Sequence, residues 1–327
     1  MIKPLRLILA VLVVLLAGVA AVSALGGQTP AIRGGIAELS PVTLGGSKQW
    51  ILIRGVDANA PVVLKIHGGP GLAEMATRPF NAELEKHFVV VEWDQRGAGK
   101  SYGATGLSER QLVADTIELS DLLRQRFHRR KIIVIGHSWG SLLAAQAAAQ
   151  RADLYCAYIA TGQIVDYREG LGITARAIGV DRTLGPPPYA DDGKRAQFLG
   201  LLKKSGGYWH AAKPLGEVGL MLKAPEYTLY EKLSFMSHAQ ASQKALMGDF
   251  LATDLRTAVP KIDVPVYLAE GRYDLTAPSG LARAWFDALS APTKYWVDFD
   301  HSAHFPQWEE PAKFAGLVDL AAQNDCR

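Results

Sequence analysis

Apolar positions along this chain follow two habits, short unbroken runs and longer stretches in which they recur every three or four residues. The runs Val62 to Ile66, Phe88 to Trp93 and Ile132 to Ile135 are too short for helices and almost wholly apolar, as expected of strands covered on both faces. Further strands are predicted near 155–160, from Val264 to Ala269 and from Lys294 to Phe299. Ahead of them, 39–44 and 48–54 read as two strands joined at Gly45-Gly46, a pair that suits a tight hairpin turn. Ser108 with Gln111 makes a capping-box start for a helix whose stripe is Val113, Thr116, Ile117, Ser120, Leu123 and Phe127, ending near His128. An Ala-rich helix follows from about 139 to 150, and a closing helix runs from Pro311 to Ala321.

Strands alternating with helices predict an α/β fold with a mostly parallel, doubly wound sheet. The alternation stops near 163 and resumes near 264. Between them lie Pro186-Pro187-Pro188, several glycines and amphipathic fragments, but no convincing buried strand. This stretch reads as a helical lid inserted over the strand ends, where ligands bind in open α/β sheets. The predicted division is an N-terminal segment at 1–26, a linker at 27–37, a core at 38–163 and 252–327, and a lid at 164–251.

Composition changes this picture at few points. At 327 residues the chain can bury one large core. A formal charge of +3 with scattered Lys and Arg gives no footprint for nucleic acid, and Arg129-Arg130-Lys131 reads as a solvated loop. Lys3 and Arg6 precede an apolar run from Leu7 to Val22. With Leu5 and the stretch to Leu25 it would be long enough to span a bilayer with the charges inside. Val22-Ser23-Ala24 also offers small residues for cleavage of a signal. Anchor and cleaved signal both stay open, and both put the folded body outside the cytoplasm, membrane-anchored or exported. In an exported protein Cys156 and Cys326 could pair, but Cys156 sits in a predicted buried strand and Cys326 is the penultimate residue, so two free thiols are expected. Their spacing is not that of a metal site.

The chemistry concentrates in a few segments. Gly136-His137-Ser138-Trp139-Gly140 fits G-x-S-x-G after an apolar strand and before a helix, the context of a nucleophile elbow. The hydroxyl of Ser138 would project at a helix N-terminus, where developing negative charge is favoured. A serine needs a base and the base needs an orienting acid, in the chain order Ser, acid, His. Asp274 follows the strand ending near Ala269. Two histidines follow the last strand, and His304 is preferred to His301 because Pro306 and Glu309-Glu310 place it just ahead of the closing helix. His137 should point into its turn and pack. An oxyanion hole needs two backbone N–H donors, for which Trp139 and Gly69 are placed, the latter in His67-Gly68-Gly69-Pro70-Gly71. The sequence has no phosphate loop and no clustered metal ligands, so no cofactor or metal is expected. Serine at the elbow also removes mechanisms that need a carboxylate nucleophile.

HGGPG at 67–71, WDQRGAGKS at 93–101, GHSWGS at 136–141, GRYD at 271–274 and SAHFPQWEEP at 302–311 together resemble the proline iminopeptidase branch of the α/β-hydrolases. The resemblance runs from about 38 to the C-terminus and is weakest in the lid. It implies a serine hydrolase, in the best-known cases an aminopeptidase removing N-terminal proline. Carried over residue by residue, Ser138 would be the nucleophile, Asp274 the acid, His304 the base, and Gly69 and Trp139 the oxyanion donors. Asp94 and Arg96 would brace the active-site floor. Aminopeptidases of the branch hold the substrate amine with acidic residues, largely from the lid. Here Glu169, Glu217, Glu226 and Glu231 are available, and none of them aligns to that role. Three functions therefore stay open: an aminopeptidase on short peptides, an esterase or amidase on small apolar substrates, and a non-catalytic binding protein. Oligomeric state is not readable.

Overall fold

The structure is a computed structural model that describes residues 26–189, 191–210 and 216–326, the side chains of 216–218 excepted. Eight strands form one sheet in the order β1-β2-β4-β3-β5-β6-β7-β8. They are β1 (Ile36–Leu44), β2 (Ser47–Gly55), β3 (Val62–Ile66), β4 (Val89–Asp94), β5 (Ile132–His137), β6 (Tyr155–Thr161), β7 (Val266–Gly271) and β8 (Lys294–Phe299). β1 pairs with β2, and β2 with β4, in antiparallel fashion, and every later pairing is parallel. The fold is an α/β-hydrolase fold, as expected.

The period-2 side-chain rule explains the two-sided core. Val62, Leu64 and Ile66 of β3 join one apolar cluster with Val134 of β5 and Leu268 of β7. Val63, Ile133, Ile159 and Ala269 join the other, across the sheet. Helices α1 (Glu109–Arg126) and α2 (Trp139–Gln150) cover the first face. α7 (Ser279–Ala288) supplies Trp285 and Phe286 to the same face, while α8 (Pro311–Asp325) supplies Phe314, Leu317 and Val318 to the second. At the β1–β2 turn Gly45 and Gly46 both take positive φ, +52° and +70°, the geometry of a two-residue hairpin turn. Ser108 caps α1 by accepting from Gln111 N at 3.2 Å, but the box is not closed, because the Gln111 amide donates to Asp115 instead.

Between β6 and β7 the chain is helical: α3 (Tyr167–Ala177), α4 (Asp192–Lys204), α5 (Gly216–Lys223) and α6 (Leu229–Ala252), with short turns of helix at Asp181–Leu184 and Leu255–Ala258. The first described residues run along this insertion. Gln28 N donates to Pro225 O at 3.1 Å, and Thr29 Oγ1 donates to Glu226 while accepting from Arg54 of β2.

Two expectations are corrected. Among the described residues no helix is long and apolar enough to cross a membrane. The 24-residue α6 has the length but carries Glu231, Lys232, Lys244 and Asp249. The membrane-anchored location is therefore withdrawn, and the apolar run on which it rested lies outside the described residues. The cysteines are not free thiols either, for Cys156 and Cys326 form a disulfide. α8 returns along the β6 side of the sheet, so its C-terminal end meets the start of β6 despite a separation of 170 residues.

Candidate active site

The sheet brings the ends of β5, β6 and β7 level. His137 pairs in register with Thr161, and Thr161 with Ala269. One residue beyond His137, Ser138 turns the chain with φ +51° and ψ −121°, a region that a non-glycine residue enters only under strain. Three contacts hold that strain: Ser138 N donates to Thr161 O at 3.0 Å, while Ser141 N and Ser141 Oγ donate to Ser138 O at 2.8 and 2.6 Å. Helix and strand approach so closely that a Cβ on Gly140 would stand 2.1 Å from Ile66 O, and one on Gly136 2.6 Å from Gly140 O. The two flanking glycines of the motif are thus required by packing.

Asp274 and His304 arrive from the loops after β7 and β8. His304 Nδ1 lies 2.8 Å from Asp274 Oδ2, with both side chains buried. Asp274 Oδ1 accepts from Thr276 N at 2.7 Å and Ala277 N at 2.9 Å, which fixes the carboxylate plane. The base loop is stapled by the acidic pair behind it. Glu309 accepts from Ala303 N at 2.7 Å, and Glu310 accepts from His301 N and Ser302 Oγ. His301 itself is exposed. His137 is buried, with its ring 4.9 Å from that of His304 and 5.6 Å from Trp308. Burial, then the neighbouring His304 and Lys65, push its proton affinity well below the usual histidine range.

Gly69 has φ +123°, and a Cβ there would meet Gly71 N and Leu72 N at 2.6 Å. Its neighbour Gly68 donates its N–H to Glu74 Oε1 at 3.1 Å. His67 fixes this loop to the core. Its Nε2 accepts from Gln95 N at 3.1 Å, so the ring proton is on Nδ1, which donates to Gly68 O. Burial pushes His67 down to about 4, which keeps it neutral. Trp139 is the first residue of α2, where helix geometry leaves the N–H without an intrahelical partner. Its indole is buried edge-on against Phe250 of α6.

Beside the β1–β2 turn, Arg96 and Asp115 form a buried two-point ion pair at 2.8 and 3.0 Å, and Arg96 also donates to Leu44 O. Asp94 accepts from Lys100 N at 2.8 Å and from the hydroxyl of Tyr227, which belongs to the insertion. Burial pushes the Asp94 carboxyl up to about 7. The folded chain therefore holds this proton between about 4 and 7, where the unfolded chain has lost it. Stability from Asp94 is full at low pH and declines as pH rises through 7. Asp94→Asn, neutral throughout, should gain on the native chain across that window, by on the order of 4 kcal/mol at most. Urea melts at pH 4, 5.5, 7 and 8 check this, and a difference independent of pH would contradict it.

Three of the four candidate acids of the insertion are held in ion pairs. Glu169 pairs with Arg256 at 2.9 Å, Glu226 with Arg78 at 2.7 Å, and Glu231 with Lys100 at 2.9 Å. The side chain of Glu217 lies outside the described residues. Among the described residues no group of three or more His, Cys, Asp or Glu is arranged to hold a metal ion.

Sequence reasoning missed the crossing at Thr161-Gly162-Gln163. Thr161 holds Ser138 N and the His137 ring, and Gln163 Nε2 donates to Ser141 Oγ at 3.0 Å. A Cβ on Gly162, at φ +54°, would lie 2.7 Å from the His304 ring and 3.3 Å from Asp274 Oδ2. No motif marks these residues, because their roles come from the register of β6 between β5 and β7.

A family model described as serine aminopeptidase, S33, matches residues 57–311, most of the chain. The chain belongs to that family. It is 31% identical over 309 residues to the probable aminopeptidase YbaC of Bacillus subtilis, covering 88% of this chain and 97% of the relative. A proline iminopeptidase of Heyndrickxia coagulans is 23% identical, over 78% of this chain and 88% of its own. Among solved structures, the proline iminopeptidase of Mycobacterium smegmatis superposes with a TM-score of 0.63 at 16% identity, over 88% of this chain and 98% of that one. The last likeness concerns the fold alone. This S33 chain is a hydrolase of the proline iminopeptidase-like branch.

Proposed function

We propose that this chain is a serine hydrolase that works through an acyl-enzyme on Ser138 and removes an N-terminal residue from short peptides. The observation that carries the reading is the His304–Asp274 contact of 2.8 Å, made in the loops that close over the Ser138 turn. With Nδ1–H donating to Asp274, Nε2 of His304 is left as the acceptor for the Ser138 proton. Ser138 Oγ then attacks the carbonyl carbon, and the N–H groups of Gly69 and Trp139 receive the charge that develops on its oxygen. His304 returns the proton to the leaving amine, and water hydrolyses the acyl-enzyme by the same route. The helical insertion acts as a lid that selects the substrate. Relationship to a probable aminopeptidase favours a peptide substrate.

A second reading, an esterase or amidase for small apolar substrates, is favoured by two features. Glu169, Glu226 and Glu231 each already hold a cation. An aromatic wall of Trp209, Phe305 and Trp308 stands beside His304, with Trp209 stacked on Phe305 at 4.2 Å. The full chain should be given a prolyl-arylamide and short-chain aryl esters side by side. The aminopeptidase reading expects arylamide turnover that disappears when the substrate amine is acetylated. Ester turnover without any arylamide turnover would reject it and leave the second reading standing.

A further inference from the structure

One buried acid has no part in the proposed triad. Glu270 is the penultimate residue of β7, four residues before Asp274, beside the Thr161-Gly162-Gln163 crossing. Its Oε1 accepts from Gln163 N at 3.0 Å, while its Oε2 is buried and has no hydrogen-bond partner among the described residues. The titratable groups that face it are acids or a phenol: Asp274 in the acid loop, Asp298 opposite it on β8, and Tyr158 on β6, with His304 beyond Asp274.

Two buried carboxylates that repel each other cannot both carry charge cheaply. The donors decide which one does. Asp274 receives three, from His304 Nδ1, Thr276 N and Ala277 N, whereas Glu270 receives one. The proton is therefore placed on Glu270, the acid with the fewer donors. Burial first, and Asp274 second, raise the Glu270 carboxyl well above its ordinary range, in agreement with this assignment.

From Glu270 a chain of contacts leads to the elbow. The Gln163 amide Nε2 donates to Ser141 Oγ at 3.0 Å, Ile164 N donates to the same oxygen at 3.1 Å, and Ser141 Oγ donates to Ser138 O at 2.6 Å. The Ser141 hydroxyl has one proton and two lone pairs, and all three are used. Gln163 Oε1 accepts from Tyr158. These contacts tie the elbow to the Thr161-Gly162-Gln163 crossing, and Glu270 is the link on the β7 side.

We propose that Glu270 is a positioning residue for this reaction, a neutral acid that fixes Gln163 and so holds the Ser138 elbow in register with Asp274 and His304. This rests on the serine-hydrolase reading above. It does not touch substrate, so its loss acts on kcat and spares KM.

The test compares Glu270→Gln and Glu270→Ala in the full chain, on whichever ester or arylamide the native chain turns over. An amide keeps the acceptor for Gln163 N and stays neutral. Glu270→Ala is expected to lose about 10- to 100-fold in kcat with KM within about threefold, and Glu270→Gln to recover most of that loss. The melting temperature supplies a second readout. Because the folded chain keeps the Glu270 proton that the unfolded chain sheds above about 4.5, native stability falls as pH rises from there. The melting temperature of Glu270→Gln should accordingly gain on the native chain as pH is raised from 5 to 9. A glutamine variant as impaired as the alanine variant, an alanine variant with full kcat, or a melting difference that ignores pH would each overturn the proposal. Turnover retained by Ser138→Ala would instead overturn the reading beneath it.

Discussion

Alanine at position 138 is expected to lower kcat by about 10⁴-fold or more on any substrate the native chain hydrolyses, with KM and melting temperature nearly unchanged. The size follows from what is removed. Without Oγ no acyl-enzyme forms, and only the oxyanion donors and the bound geometry remain to assist water. The stability expectation is also specific. Ser138 holds φ +51° through its backbone contacts to Thr161 and Ser141, none of which involves its own hydroxyl. Alanine therefore inherits the same strain and the same supports. A progress curve with sensitivity to one part in 10⁵ decides the kinetic part, and a thermal melt decides the other. Turnover within tenfold of native would mean that the nucleophile lies elsewhere.

Alanine at Gly162 is expected to have the next largest effect, through geometry alone. Its φ of +54° would charge an alanine about 1–2 kcal/mol. More important, the new methyl would stand 2.7 Å from both Cε1 and Nδ1 of His304. Thr161 before it is held on both sides by parallel pairing and Gln163 N after it by Glu270, so the imidazole must yield and turn away from Ser138. A displacement near 1 Å at a reacting group costs about 10²-fold, and a loss of that order or greater in kcat is expected. Gly46→Ala serves as the control, since Gly46 also has positive φ, +70°, but nothing lies within 4 Å of its Cβ position. It should lower the melting temperature without lowering kcat. Equal kcat in the two variants would show that backbone strain, and not the contact with His304, governs position 162.

Much of this architecture was legible because its signals are local. Runs such as Val62–Ile66 and Ile132–Ile135 can only be strands buried on both faces, and they are. Gly45-Gly46 announces a turn through positive φ that few residues reach, Ser108 a helix start through its cap, and the glycines around Ser138 a close approach of strand and helix. What stayed hidden depends on contacts across the sheet. Gly162, Gln163 and Glu270 gain their places from the β5–β6–β7 register, and Glu270 accepts a bond from a residue 107 positions away. A polar residue in an otherwise apolar strand was the one available hint. Glu309 and Glu310 were read only as marking a helix start, yet their carboxylates hold the loop that carries His304. The acids of the insertion looked free because their partners Arg78, Lys100 and Arg256 are remote in sequence. The cysteines looked unpaired because one lies in a buried strand and the other is penultimate, and only the return of α8 along β6 brings them together.

The central claim is that Ser138, activated by His304 and Asp274, carries the acyl group. Intact-mass analysis after treatment with an aryl fluorophosphonate, followed by peptide mapping, tests it most directly. The account predicts a single adduct on Ser138, absent from Ser138→Ala and formed at least about 100-fold more slowly in His304→Ala. An adduct on another residue, or labelling of Ser138→Ala at the native rate, would contradict it.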